Sequence, residues 1–323
     1  MKKVLFATTA LVATAGVAAA DVTFGGYGRF GVLYQENAAG TDETNVTSRF
    51  RLQIDATAES DMGVTFGARA RIQQNNTDEN VSVTKGADGI FGTADDGLTT
   101  AGPAGTGING VRFFARTGGF EVGVGNIYGA LESMPGMYEI DLGLTGLSYE
   151  YTAYNFRGDA YSSGGNGAAG SNGVEALYSM GDLKVHISAS DTNDRVAGYV
   201  AYTYNGFTFA AAAQDSNAAG DTDYALSVVG NVGPAKVSLA YADNGDDTGV
   251  GTVNGDHYAL TASFDIGAAT NLDVYVADAD YYEETSYGIG AHHDLGGGVS
   301  LRGGVISRGD DSIRADMGVR FTF

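Results

Sequence analysis

From Asp21 onward the chain alternates apolar and polar residues with a period of two, and the middle of each apolar face carries no charge. Period two is the signature of a strand whose faces meet different surroundings. In the segment Ser48 to Ala58, Phe50, Leu52, Ile54 and Ala56 share one side, while Arg49, Arg51, Gln53 and Asp55 share the other. Val64, Phe66, Ala68, Ala70 and Ile72 likewise oppose Thr65, Arg69, Arg71 and Gln73. In the first segment Val22, Phe24, Phe30, Val32 and Tyr34 share a face with Gly26 and Gly28. A soluble barrel would turn the apolar faces inward and the charged faces to water. The polar faces here are too charged for a packed core, because Arg49, Arg51, Arg69 and Arg71 cannot all be buried dry. A wide membrane barrel reverses the two faces and solvates the charges in an aqueous lumen.

The segments repeat with regular punctuation. Short turns fall at Ser60 to Gly63, Thr117 to Gly119, Met180 to Asp182, Asn205-Gly206, Asn231 to Pro234, Gly267 to Thr270 and Asp294 to Gly298. Asn-Gly between alternating runs is a strong hairpin signal, because both positions tolerate positive φ. These turns join fourteen strands into hairpins, and the first and last strands are left to pair and close the ring. The expected fold is all-β, a 16-stranded antiparallel transmembrane β-barrel over residues 21–323. Its 19 Tyr and 15 Phe can build the interfacial belts although Trp is absent.

Residues 1–20 have the form of an export signal. Lys2 and Lys3 precede an apolar stretch from Val4 to Ala15, and Ala18 to Ala20 offer a small-residue cleavage site before Asp21. With no Cys, disulfides hold nothing together in the exported chain. The full chain has 18 Lys and Arg against 39 Asp and Glu; losing two lysines with the signal leaves 16 against 39, a balance of −23. That balance excludes nucleic acid as a partner. The acid pairs, Asp42-Glu43, Asp78-Glu79, Asp95-Asp96, Asp246-Asp247 and Asp310-Asp311, fall in loops.

Several stretches resemble the general diffusion porins of the purple bacteria, a Rhodobacter-like alphaproteobacterial family. They are the opening Phe24 to Tyr34, the pair Ser48 to Leu52 and Asp61 to Gly67, the hairpin Gly118 to Asn126, the run Tyr287 to Gly298 and the closing Ala315 to Phe323. Each is weak alone; their order and spacing carry the likeness. The resemblance implies a homotrimer in the outer membrane of a Gram-negative cell, in contact with its lipid. It also implies a long third loop folded into each lumen, and a C-terminal aromatic, here Phe323, read by the insertion machinery. The second long loop, residues 75–108, is enlarged and rich in Gly and Asp; in related trimers it reaches toward a neighbouring subunit.

Three constellations bear on function. Strand parity points Arg29, Arg49, Arg51, Arg69, Arg71, Arg112 and Arg116 into the lumen from the first four strands, and Arg302, Arg314 and Arg320 from the last two. After ring closure these ten cations form one arc, although scattered polar decoration of the lumen would read similarly. The third long loop, residues 127–172, carries Glu132, Glu139 and Asp141 within the stretch Tyr128 to Glu139 and just beyond it. A connection of that length is usually functional. Folded inward, it constricts the pore and sets its acids against the arginines, giving a transverse field; the bland alternative is an extracellular flap. Third, Asp88, Asp95 and Asp96 lie in a Gly-punctuated loop that reads either as solvated surface or as a Ca²⁺ site, without EF-hand spacing.

The four histidines make no convincing catalytic site, and the Gly-rich runs open no helix, so they are not phosphate cradles. The expected function is passive diffusion of small hydrophilic solutes and ions, with no enzymatic activity. The rival readings are a channel selective for a sugar, phosphate or another anion, and a structural or adhesive barrel. An outer-membrane barrel enzyme would need a compact catalytic site that the sequence does not offer.

Overall fold

A computed structural model describes residues 20–36, 42–77, 80–84, 97–101, 107–154, 158–163, 170–192, 194–217, 222–245 and 255–323. The strands are β1 (Asp21–Gln35), β2 (Glu43–Glu59), β3 (Thr65–Thr77), β4 (Asn80–Thr84), β5 (Gly97–Ala101), β6 (Gly107–Ile108), β7 (Arg112–Thr117), β8 (Phe120–Asn126), β9 (Asn172–Met180) and β10 (Leu183–Ser190). They continue with β11 (Val196–Tyr204), β12 (Phe207–Asp215), β13 (Asp223–Val232), β14 (Ala235–Asp243), β15 (Asp256–Asp265), β16 (Thr270–Ala279), β17 (Ser286–Gly296), β18 (Val299–Ser307) and β19 (Ile313–Thr322).

Neighbouring strands pair antiparallel, and β1 pairs with β19 from Tyr27 opposite Thr322 to Gln35 opposite Arg314. β6 and β7 both pair with β3 and occupy one place, so the ring is a closed sixteen-stranded barrel. All seven short turns lie where the sequence puts them. At Asn205-Gly206 both residues have positive φ, 50° and 81°, the left-handed pair that a two-residue hairpin needs to match strand twist. The strands run longer than the sequence pattern indicates: β2 begins at Glu43, opposite Gln35, rather than at Ser48. Within residues 75–108, β4 and β5 form a separate two-stranded ribbon, Asn80 opposite Ala101, where the sequence reads only as a long loop. Residues that alternate over only five positions give too little period to register as a strand.

Parity assigns the faces. Val22, Phe24, Phe30, Phe50, Phe66, Val200, Leu226, Leu239 and Tyr258 all stand on the outer surface, each at least two-fifths exposed in the isolated chain. An apolar belt of this extent would aggregate in water and is the outer face of a membrane-spanning barrel. The inner face carries the charges and, on its far side, a run of small residues. Placing Arg at outward Leu239 is expected to cost insertion about 2–4 kcal/mol near the midplane. Arg at inward Ser263, on the neighbouring strand, is expected to be tolerated. Urea titrations of folding into vesicles measure both; equal losses would show the faces to be assigned wrongly.

Candidate functional site

The hydrophobic core cluster of the described residues lies inside the ring. Residues 127–154 hydrogen-bond to lumen-facing groups around most of the circumference. Pro135 and Gly136 carbonyls accept from Ser227 on β13 and Ser238 on β14. The Asp141 carbonyl meets His292 on β17, and the Leu144 carbonyl accepts from Arg29 on β1. The amides of Leu144 and Thr145 donate to the two carboxylate oxygens of Asp316 on β19, and the Ala130 amide donates to Ser188 on β10. Contacts with strands so far apart in the ring place this segment against the inner wall.

The wall is shaped to receive it. Many lumen-facing positions from β11 to β16 are small: Ala197, Ala201, Ala210, Ala212, Ala225, Ala240, Ala242, Ala259 and Ala277 are all buried, with Tyr199 and Tyr275 the bulky exceptions in the same cluster. They pack with Leu131, Met134, Met137, Ile140, Leu142, Leu147 and Tyr151 of the segment. Farther round, glycines clear the path. A Cβ on Gly31 or Gly318 would come within 2.7 Å of the Leu144 side chain, and one on Gly304 within 2.9 Å of Leu147. The segment is therefore two-faced in its own right, with its apolar side on the wall and Tyr138, Asp141 and Tyr149 toward the lumen.

The root of the segment is a buried charge cluster. Glu175 on β9, itself 1% exposed, accepts from Arg112 Nε at 2.5 Å, His186 Nε2 at 2.9 Å and the amides of Tyr128 and Gly129. Arg112 also pairs with Glu121 at 2.6 Å and stacks 3.9 Å from the Tyr128 ring centre. Arg112 points inward as parity predicts, but it is 1% exposed and does not line the pore water as expected: the segment's first residues cover it. Asp159, also buried, accepts from Arg195 and Ser190 and clamps the returning chain over Gly129. At the other end Glu150 accepts from Arg308, Ser286 and the Gly309 amide.

The arginine arc occupies the strands from β18 through β1 to β7, as the ring closure requires. Its members differ in how their charge is met. Arg302 and Arg320 share one carboxylate oxygen of Asp141, at 2.7 and 2.8 Å. Arg69 pairs with Asp55 at 2.6 Å and donates to the Tyr128 hydroxyl. Arg49, Arg51 and Arg71 donate to the side-chain oxygens of Asn75, Gln73 and Gln53, which are neutral. Arg314 donates to Ser148 and Gln35, and Arg29 to the Leu144 carbonyl. Among the described residues these last five arginines are in no ion pair, so most of the net positive field of the wall comes from them, with a share from Arg302 and Arg320, two cations on one carboxylate. Arg116 lies at the short-turn end, beside the Phe114 ring.

The three acids of the segment do not act alike. Asp141 meets the arc. Glu139 turns away from it to Lys236 on β14, and also accepts from the Gly136 amide. Glu132 accepts from the Tyr154 hydroxyl at 2.6 Å and, among the described residues, pairs with no arginine. Burial, with Tyr138 and Glu132 close by, pushes the Tyr154 phenol well up, so it stays a neutral donor. The acid-to-arginine contrast is therefore concentrated at Asp141. Residues 147–149 complete the segment with a left-handed turn, φ 40°, 76° and 59° at Leu147, Ser148 and Tyr149. Three non-glycine residues in this region are strained and persist only where the surroundings hold them. Buried Leu147 and the Arg314–Ser148 bond do so, and Tyr149 is left 43% exposed within electrostatic range of Arg29 and Arg49.

The residues of the suggested Ca²⁺ loop, Asp88, Asp95 and Asp96, lie outside the described residues, as does the export signal through residue 19. Among the described residues no three His, Asp or Glu side chains are grouped to hold a metal.

A family model described as Gram-negative porin matches residues 7–311. The chain belongs to the Gram-negative porin family. The porin of Fuscovulum blasticum is 32% identical over 94% of this chain and 100% of that protein, and the porin of Rhodobacter capsulatus is 26% identical with the same coverage. A solved structure of a substituted Rh. blastica porin superposes with a TM-score of 0.75 at 28% identity, covering 94% of this chain and all of that one. The present porin is therefore an outer-membrane diffusion channel, and not an enzyme, in agreement with the expectation from alternation and the charge-free faces.

Sequence reasoning missed Glu175, His186 and Asp316, the side chains that seat the segment. For Glu175 the signal was available as a lone ionisable residue at lumen parity in an otherwise small or apolar strand, whereas His186 and Asp316 share their lumen faces with Lys184 and with Arg314 and Arg320. The alternate alanines from Ala197 to Ala277 were equally visible, as a wall stripped of bulk.

Proposed function

We propose that residues 127–154 set the size limit of this porin, and that the arc from Arg29 to Arg71, opposed by Asp141, tunes its ion preference. The observation that carries this reading is the web of hydrogen bonds from one segment to β1, β10, β13, β14, β17 and β19. A connection fixed at so many points narrows the lumen permanently and sieves by size. The field across the remaining opening runs from the unpaired arginines to Asp141, with Glu132 and Glu139 contributing less because of their own partners. The export signal is removed after Ala20, the mature porin assembles as a homotrimer, and Phe323 is read during insertion. Phe323 supports the last point by standing on the outer face, stacked 5.7 Å from Phe50 and closing β1 through Gly26.

Acids on the outer loops enrich cations at the mouth, while the arc repels them deeper in. At about 0.15 M salt the screening length is about 8 Å, so near charges outweigh distant ones. The wild type is expected to be modestly cation-selective. Replacing Arg49, Arg51 and Arg71 together by Gln is expected to make it clearly more so, most visibly at low salt. Reversal potentials across a salt gradient measure this. An unchanged permeability ratio would remove those arginines from the narrow part of the pore.

A further inference from the structure

The arginine wall holds its charges closer together than a field alone requires. Strand register sets Arg320, Arg29 and Arg49 directly opposite one another on β19, β1 and β2. Like charges in that relation repel. Arg51 follows at the next lumen-facing position of β2, opposite Tyr27. Tyr27 keeps the group assembled: the guanidinium carbons of Arg320 and Arg51 stand 4.3 and 5.2 Å from its ring centre, and Arg49 Nη1 donates to its hydroxyl at 3.2 Å. Of the four arginines, Arg320 alone has a carboxylate partner among the described residues, and it shares that partner with Arg302. The Nε atoms of Arg29 and Arg320 are buried with no hydrogen-bond partner. Above this row the strained left-handed turn holds the Tyr149 side chain out from the segment. Two independent costs, like-charge crowding and backbone strain, thus meet at one spot.

We propose that Arg29, Arg49 and Arg51, with the Tyr149 hydroxyl, form a weak station for a tetrahedral oxyanion, inorganic phosphate or a phosphomonoester, within an otherwise general pore. This rests on the reading of the arc as pore lining. Guanidinium groups present planar forks of N–H donors that match phosphate oxygens, and they keep their charge at any working pH. Several of them converging can each engage a different oxygen of a divalent tetrahedral ion. A monovalent carboxylate has too few oxygens and too little charge to engage them all. The station slows and concentrates such solutes at the constriction in a chain that otherwise repels anions through its acidic loops. Binding must stay weak, because a solute held tightly at the narrowest point blocks the channel.

Single-channel recording tests the station, since it registers only inserted pores. Inorganic phosphate is added to potassium chloride at constant ionic strength, with acetate as the balancing salt. Phosphate is expected to reduce and interrupt the current where acetate does not. Changing Arg49 and Arg51 together to Gln is expected to raise the half-blocking phosphate concentration about tenfold or more, the loss of two charge-assisted hydrogen bonds. Arg71→Gln, which removes the same kind of charge beyond the station, is expected to shift the reversal potential and leave the block in place. Phosphate acting no more strongly than acetate overturns the proposal, as does a block that Arg71→Gln weakens as much as the Arg49/Arg51 pair. If reversal potentials move in these variants but no block exists, the field reading stands and the station falls. If neither moves, both fall.

Discussion

Replacing residues 133–147 by a short Gly-Ser bridge is expected to admit sugars that the parent porin excludes, while the barrel still closes. The segment contributes packing, not strand pairing. Met134, Met137, Ile140, Leu142, Leu144 and Leu147 are buried against the inner wall, and side chains of this size contribute about 1.5–3 kcal/mol each on burial. Their loss removes on the order of 10 kcal/mol of apolar packing, an upper figure because an unfolded chain already hides part of that surface. The ladder from β1 round to β19 keeps all of its backbone bonds, since none of them runs through this segment. The variant should therefore unfold at a lower temperature and yet insert as a ring. Liposome swelling with sugars of graded size gives the pore limit, and heating curves give the stability. An unchanged size limit in the inserted variant would show that some other part of the lumen does the sieving.

The second large effect is expected at Glu175. Changing it to Leu removes the acceptor for Arg112, His186 and two backbone amides at once. Arg112, 1% exposed, is then left with Glu121 alone. Breaking one side of a buried ion pair costs about 3–5 kcal/mol, because the remaining charge has no water to turn to. The expected phenotype is a clear loss of thermal stability with a noisier open current, as the root of the segment loosens. Replacing Arg112 by Met in the same chain should restore much of the stability, since an apolar pair of similar volume carries no stranded charge. Unfolding midpoints of the two single variants and the double variant decide the matter. If Glu175→Leu alone melts with the wild type, the cluster does not hold the root.

Glycine clearance predicts a subtler effect at the β1–β19 seam. Gly31 and Gly318 lie opposite each other, and both face the Leu144 side chain. A Cβ on Gly318 would collide with the Phe30 carbonyl oxygen and lie 2.7 Å from both Gly31 Cα and the Leu144 side chain, so a leucine there should spread the β1–β19 seam and push Leu144, with its neighbouring Asp316 bonds, away from the wall. Lower conductance together with a lower unfolding temperature, read by bilayer recording and by heating curves, is the expected result. Conductance equal to the wild type would mean that the segment absorbs the added bulk.

The barrel itself was written in local chemistry. Alternation in stretches such as Ser48 to Ala58, and turn residues such as Asn205-Gly206, act over a few neighbours, so they can be read along the chain. Ring closure followed from counting, because seven hairpin turns leave two strands over. The inward direction of Arg49, Arg51, Arg69 and Arg71 followed from parity, which a strand enforces strictly. What lies on top of a lumen-facing residue is a different question. Arg112 and Arg71 have the same parity, yet one is sealed beneath the segment and the other is not, because only Arg112 sits where residues 127–129 cross. Glu139 and Asp141 are two residues apart, yet they bond strands about a quarter of the ring apart, Lys236 on β14 against Arg302 and Arg320 on β18 and β19. Those partners are brought near by the ring and by the irregular course of the segment, neither of which has a period. The sequence thus determined the barrel, its faces and its charged arc, since each depends on neighbours one or two positions away. The tertiary structure alone decided which of those charges are paired, buried or free, since pairing depends on which distant strand the non-repeating segment comes to rest against.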